Sequence, residues 1–424
     1  MAPAGTSFSI KPPPIETHEV PRGEAVPARA PGRPYRLATI FQRPHPYFCK
    51  FIQHLAAHPE IRLKAYFYSD LGVGNTFDPG YDRSVQWDGD LLSGYDYSFL
   101  RNYSPRPALN RFMGLIHPGL VTELRRHDAI ILHGWWGFSS WMAMGLASLR
   151  GIPLLIHSDK NVMEPKGVPH GSMRDYVLPP LFRLPAGFLA VGRRNANFYR
   201  KMGVPEKKLF FTPLAVDNAF YQAERWRLHP EREAIRSGLG ISPGDVVILY
   251  VGRLDVRKGL TDLLQAFANL RNDSTHLVFA GEGPDRAALE SFARDRRIAG
   301  VHFTGLQNYS ELPASYAMAD VFAFPSHREN WGAAVNEAMN FGLPIVTTSV
   351  VGAAADLVED GVNGLISEPG DVPQLTEKLR LLVSRPELRQ RMGEESARRI
   401  QGWNFESGAQ GVLTALQSVA KQPK

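Results

Sequence analysis

The order of apolar runs along this chain predicts an α/β protein made of two facing, doubly wound parallel sheets with a cleft between them. Three observations carry that expectation. The chain has 424 residues, enough for two hydrophobic cores of ordinary size. Two series of short apolar strands alternate with helical patterns, one on each side of a stretch, 213–242, that lacks a clear strand. In the second series, the apolar run Val321 to Phe324 leads directly into a helix start flanked by two acids.

Residues 1–33 are rich in proline, with scattered charges and no apolar period, and are expected to be a disordered tail. The first domain, 34–215, opens on Tyr35 to Phe41 as a strand, followed by a helix over Phe48 to His58 and a strand at Leu63 to Tyr68. Ala129 to Leu132, Pro153 to Ile156, Gly187 to Val191 and Lys208 to Thr212 read as further strands. A linker is expected over 216–244. The second domain, 245–402, starts with Val246 to Val251. It continues through helix Leu260–Leu270, strand His276–Ala280, helix Asp285–Arg296 and strands Val301–Phe303, Val321–Phe324 and Pro344–Thr347. A helix from near Val372 includes Arg380. Residues 403–424, with a helix from Phe405 to about Val419, are expected to cross back onto the first domain. Ligands of such sheets bind at the carboxyl ends of the strands, so the cleft is where a site is expected.

Composition narrows the chemistry. Hydrophobic content of 44% with 21% charged residues is that of a soluble globular protein. Cys49 is the only cysteine, which excludes an intrachain disulfide and a cysteine-clustered zinc site. No compact apolar leader is visible at the N-terminus, so a cytoplasmic protein is expected. Ala129 to Leu149 carries no formal charge and is about long enough to span a bilayer. Its glycines and serines make it a strand, a turn and a core-facing helix instead. A basic cluster (Arg183, Arg193, Arg194, Arg200, Lys201, Lys207 and Lys208) is opposed by Glu206 alone. Its default reading is a solvated helix face. The second is attraction to an anionic membrane surface, as a peripheral protein, or to a phosphate-bearing acceptor. Nucleic acid is not expected, because no reading motif accompanies the charge.

The most informative segment is His327-Arg-Glu329-Asn-Trp-Gly332-Ala-Ala-Val-Asn-Glu337-Ala-Met-Asn-Phe-Gly342-Leu-Pro344. If helical throughout, the eight residues between Glu329 and Glu337 rise roughly 12 Å, about the separation between the sugar and the ribose of a sugar nucleotide. First-turn N–H groups of Gly332 and Ala333 would cradle a diphosphate between the two acids. For an isolated pair of this kind, solvated acids on an exposed helix would be the ordinary reading.

The surroundings of the pair alter that reading. This segment resembles the Glu-x7-Glu signature of retaining glycosyltransferases of family 4, which have the GT-B fold of two facing Rossmann-like domains (glycosyl transferases group 1). It continues as that family does through Gly342-Leu-Pro-Ile-Val and Glu359-Asp-Gly-Val-Asn-Gly364-Leu. Upstream, Tyr250-Val-Gly252-Arg253-Leu-Asp-Val-Arg-Lys258-Gly259 is similar to the family's Gly-Arg-Leu…Lys-Gly loop, and Phe279-Ala-Gly281-Glu-Gly283-Pro284 to its Gly-x-Gly-Pro turn. The resemblance is strong over 245–370, weaker over 120–245 and poor before residue 110.

The resemblance implies a metal-independent transfer, with retention, from a nucleotide-sugar donor to a glycan or lipid-linked acceptor in cell-surface polysaccharide synthesis. No cofactor is implied. Arg253 and Lys258 would hold the diphosphate, with Gly252 and Gly281 in the donor-binding turns. Glu337 would take the ribose hydroxyls and Glu329 those of the donor sugar. Asn330, Trp331 and Gly332 would present backbone N–H groups, and His157, at the end of its strand, would contact the donor sugar and orient the acceptor. Asp159 and His133 are secondary candidates on the same wall. The leaving phosphate would itself take the acceptor's proton, since no covalent nucleophile stands out.

Two departures stand against the family pattern. The loop after the first strand reads Gln42-Arg43-Pro44-His45-Pro46, without the usual glycine pair, so Arg43 or His45 would replace backbone contacts to the donor. Trp331 stands where most members have phenylalanine. Asp88-Gly-Asp90 mimics a metal motif but precedes Leu91-Leu92 rather than ending a core strand, so no metal is expected. Tyr95, Tyr97, Phe99 and Tyr103 suit either sugar stacking or packing under a loop. The rival functions are a sugar-nucleotide epimerase on the same scaffold and a non-catalytic nucleotide-sugar binder.

Overall fold

A computed structural model of the protein describes residues 33–74, 76–78, 83–85, 87–161 and 173–420. The expected tail, 1–33, lies outside them except for Arg33.

The first sheet contains β1 (Tyr35–Phe41), β2 (Ile61–Phe67), β5 (Asp96–Phe99), β6 (Ala129–His133), β7 (Leu154–Ser158), β8 (Gly187–Ala190) and β9 (Leu209–Phe211). Its order is β5-β2-β1-β6-β7-β8-β9, parallel throughout. A separate antiparallel hairpin pairs β3 (Thr76–Asp78) with β4 (Arg83–Val85). The second sheet contains β10 (Val246–Val251), β11 (Thr275–Ala280), β12 (Val301–Gly305), β13 (Val321–Phe324), β14 (Ile345–Thr348) and β15 (Gly364–Ser367). Its order is β12-β11-β10-β13-β14-β15, also parallel.

Both faces of the first sheet are buried, which is why its strands are nearly continuous apolar runs. On β1, Ala38 and Ile40 join one core cluster, while Tyr35, Leu37 and Phe41 join another on the opposite face. The last helix, Phe405–Val419, sends Ala409, Val412, Leu413 and Leu416 into that second cluster, so it packs on the first domain. Ala129 to Leu149 forms β6, a turn and the helix Phe138–Arg150, and no helix among the described residues is long and apolar enough to cross a membrane.

The expected linker, 216–244, has no strand but is partly helical. Residues Asn218–Leu228 and Arg232–Ser237 are helices. Arg232 and Arg236 both pair with Asp320, just before β13, and Arg236 is only 3% exposed. A hydrophilic sequence hid these helices because their main buried contacts are polar: Tyr221 to Glu337 in the first, and Arg236 to Asp320 in the second. Strands β5 and β15 also went unpredicted: β5 is a mostly exposed edge strand, and β15 is short and begins on a glycine.

Candidate active site between the two sheets

Each sheet has a point where the chain leaves adjacent strands in opposite directions, between β1 and β6 and between β10 and β13. Ligands of open parallel sheets bind outside such points, at the carboxyl ends of the strands. The loops that follow these four strands are Gln42–His45, Gly134–Gly137, Gly252–Gly259 and Pro325–Gly332. A cavity of about 720 Å³ lies between the domains, lined by the first two loops, by His133 and residues 157–161, and by Arg328 and Asn330.

On the second domain, Lys258 Nζ is in direct contact with the Glu329 carboxylate, both side chains being about 15% exposed. Lys258 also sits over the Phe324 ring, 5.4 Å from its centroid. Arg253 shares that loop, its Nε 3.7 Å from Asp255 Oδ2. Asn161, from the first domain, donates to the carbonyls of Glu329 and Asn330 at 3.0 and 2.8 Å. Glu329 is therefore contacted by both domains.

On the first domain, Thr39, His133 and His157 lie on one face of three neighbouring strands. Thr39 Oγ1 is 3.0 Å from His133 Nε2, and His133 Nδ1 is 2.9 Å from His157 Nδ1. Phe41 stacks on His133 with centroids 3.5 Å apart. Burial lowers the His157 pKa to about 4 and that of His133 well below its usual value, with His157 adding to the latter. Both rings are neutral at neutral pH, so His157 acts in hydrogen bonding rather than as a cation. His157 lies inside β7 rather than just past its end. Burial raises the pKa of the neighbouring Asp159; Lys160 opposes that and the Glu329 carboxylate reinforces it.

Several of the expected site residues, Arg253, Lys258 and Glu329 among them, are not part of the cavity lining itself. Glu337 does not line the cavity: it is fully buried, with Tyr221 Oη donating to Oε1 at 2.9 Å, Tyr316 Oη donating to Oε2, and Tyr47 of the first domain bonding to it as well. Burial raises its pKa, and those three hydrogen bonds pull it back. The spacing argument fails because the helix starts at Ala333, so Glu329 is in the preceding loop and only half the interval is helical. The Trp331 side chain is buried, stacks on Trp403 at 5.6 Å and donates to Asn336, which leaves its expected backbone role untouched. Gly281 is a packing position, since a Cβ there would lie 1.9 Å from the Gly252 carbonyl oxygen. Gly252 thus contributes the backbone against which that turn closes. Gly332 caps the helix at φ +94°, a conformation that favours glycine, so the local chain can present N–H groups there.

The basic cluster is largely committed to the fold. Arg193 bonds Asp356 and Arg194 bonds the Ser349 carbonyl, both across the domain boundary, while Arg200 pairs with Glu206 and Lys208 donates to the Pro185 carbonyl. Asp88 is similarly engaged, accepting from the backbone N–H groups of Tyr309 and Ser310 at 2.9 Å each. Asp90 accepts from Leu92 and Ser93, so the two acids of the triplet serve separate turns. Tyr97, Phe99 and Tyr103 are exposed along the β5 edge and do not line the cavity. Several aromatics line the cavity (Phe41, Phe48, Trp135, Trp136 and Phe198), and Trp136, 54% exposed, is one that the sequence reading missed; two tryptophans between glycines directly after a strand were the available signal.

Residues 231–399 match the family of glycosyl transferases group 1. The chain is 28% identical over 215 residues to an alpha-D-kanosaminyltransferase of Streptomyces kanamyceticus, a stretch covering 50% of this chain and 54% of that protein. It is 26% identical over 323 residues to a sulfoquinovosyl transferase of Arabidopsis thaliana, covering 72% of this chain and 60% of that one. The chain thus spans little more than half the length of these relatives. The crystal structure of HepE from Anabaena, in complex with UDP and glucose, superposes with a TM-score of 0.70 at 17% identity over 91% of this chain and 100% of that one. The protein thus carries a glycosyl transferases group 1 domain over residues 231–399, within the two-domain GT-B fold.

Proposed function

We propose that the protein transfers a sugar from a nucleotide-sugar donor to a glycan or lipid-linked acceptor, with retention of anomeric configuration, without a metal or other cofactor, and in cell-surface polysaccharide synthesis. The observation that carries this reading is the Lys258–Glu329 contact at the second sheet's switch point, beside the interdomain cavity. The UDP and glucose bound by HepE on the same fold support a nucleotide-sugar donor.

In this reading, the bond between the anomeric carbon and the phosphate oxygen breaks, and the acceptor oxygen bonds to that carbon. The acceptor's proton passes to the leaving phosphate. Charge grows on the diphosphate as the bond breaks, and the enzyme must stabilise it at that moment. Lys258, released from part of its pairing with Glu329, and Arg253 supply positive charge, and the helix start at Gly332 supplies N–H groups. Glu329 holds donor-sugar hydroxyls and faces positive charge building on the ring. Neutral His157 hydrogen-bonds the sugar, while Arg43 and His45, which line the cavity, take the place of the glycine-pair backbone contacts. Glu337 is given no ligand contact.

A thermal-shift screen against UDP-, GDP- and ADP-sugars tests the donor class. Ligand at 100 times its Kd should stabilise the protein by about 2.7 kcal/mol. The absence of a shift with every member of the panel would refute the reading, and donor conversion without an acceptor would favour the epimerase.

A further inference from the structure

The turn after β6 carries two tryptophans between two glycines in the left-handed region, Gly134 at φ +82° and Gly137 at φ +107°. The pair splits. Trp135 also reaches the cavity but is partly buried and stacks on Phe198, with centroids 5.4 Å apart. Trp136 turns outward into the cavity wall and is 54% exposed. An indole so open to water gains little from burial, so its contribution to the fold is small.

Its position is nonetheless well determined. Phe112 meets Trp136 at 5.5 Å in a T-shaped contact and meets Trp141 at 5.0 Å in another. Trp141 Nε1 in turn donates to the Trp135 carbonyl at 3.0 Å. The exposed ring is thus braced by an aromatic chain that returns to its own turn, and little side-chain entropy is lost when a ligand covers it. Around it, the same cavity wall holds Asp159, Lys160 and Asn161. Asn161 is 5% exposed, both its donor contacts go to the second domain, and its Oδ1 has no hydrogen-bond partner.

A flat, exposed apolar face in a cavity that polar side chains also line fits a sugar ring: C–H groups against the indole, hydroxyls to the polar wall. We infer that Trp136 is the stacking platform for a pyranose ring of the acceptor. The inference rests on the proposed transfer for the word acceptor, because Trp136 lies on the domain opposite Lys258 and Glu329. The ring-binding site itself stands on the geometry alone.

Saturation-transfer NMR with methyl α-D-glucopyranoside, methyl α-D-mannopyranoside and methyl β-D-galactopyranoside tests it on the full chain, beside Trp136→Ala and Trp136→Phe. At least one glycoside should receive saturation from the wild type. Its affinity should fall about tenfold in Trp136→Ala and be largely kept in Trp136→Phe. The thermal shift given by UDP should be unchanged in both variants, which also shows that they fold. Equal glycoside binding by wild type and Trp136→Ala, or no binding of any of the three by the wild type, would overturn the inference. Should no nucleotide bind, the transfer reading fails, yet the glycoside comparison still decides whether Trp136 holds a sugar ring.

Discussion

His133 and His157 are register partners on adjacent parallel strands, and their Nδ1 atoms lie 2.9 Å apart. One nitrogen must donate and the other accept, so each ring constrains the other's tautomer. With Thr39 on the far side of His133, the His157 ring is oriented by two strands behind it.

This pair makes stability depend on pH. The pKa of His157 falls from 6.5 in the unfolded chain to about 4 in the folded one. Between those values the unfolded chain binds the proton and the folded one does not. Stability is therefore complete above about pH 6.5, declines toward pH 4 and levels off below it. At 1.36 kcal/mol per pH unit the loss from His157 reaches about 3 kcal/mol. Urea melts at pH 7 and pH 4.5 should show a smaller loss for His157→Gln than for wild type. An equal loss would mean that the ring does not stay neutral in the fold.

Lys258→Ala and Arg253→Ala should each lower the transfer rate by roughly 10²–10³, as the loss of one donor to a developing anion does. The two should differ in donor-free protein. Lys258→Ala leaves the mostly buried Glu329 without its cation, so its melting temperature should drop further than that of Arg253→Ala, whose side chain is 32% exposed. Full activity in either variant would remove its charge from the mechanism.

Glu337 should behave as a structural residue. Replacing it with leucine leaves the hydroxyls of Tyr221 and Tyr316 without their acceptor. At about 1–3 kcal/mol for each unsatisfied buried group, the cost should be at least 2 kcal/mol. Glu337→Gln keeps an acceptor oxygen and should cost less. A leucine variant that melts with the wild type would contradict the tyrosine cage.

Asp88 should act as a clasp between domains rather than as a metal ligand. Hydrogen bonds to a carboxylate contribute about 1.5–3 kcal/mol, so Asp88→Ala should favour an opened arrangement and enlarge the radius of gyration in small-angle scattering. Excess chelator should leave the wild-type rate unchanged. A chelator-sensitive rate restored by a divalent cation would bring the metal reading back.

Legibility differed between the fold and the site. The strands from β6 to β8, with β10, β11, β13 and β14, could be read because burial on both faces forces continuous apolar runs, which polar loops interrupt. Edge strand β5 has no such constraint. The helix Asn218–Leu228 buries Tyr221 against Glu337, a polar contact that leaves no apolar stripe.

At the site, the sequence alone brought together the charged loop residues of the second domain. Arg253, Lys258 and Glu329 follow buried strands at short distances along the chain, so local geometry brings them to one sheet edge. It could not determine which acid stays open. Glu337 is sealed by Tyr47, Tyr221 and Tyr316 from three separate segments, and Glu329 is held through Asn161 from the other domain. Nor could it separate Trp135 from Trp136, which differ only in the direction that a glycine-flanked turn gives their side chains. Those outcomes depend on contacts between residues far apart in the chain, and packing across the cleft is what selects among them.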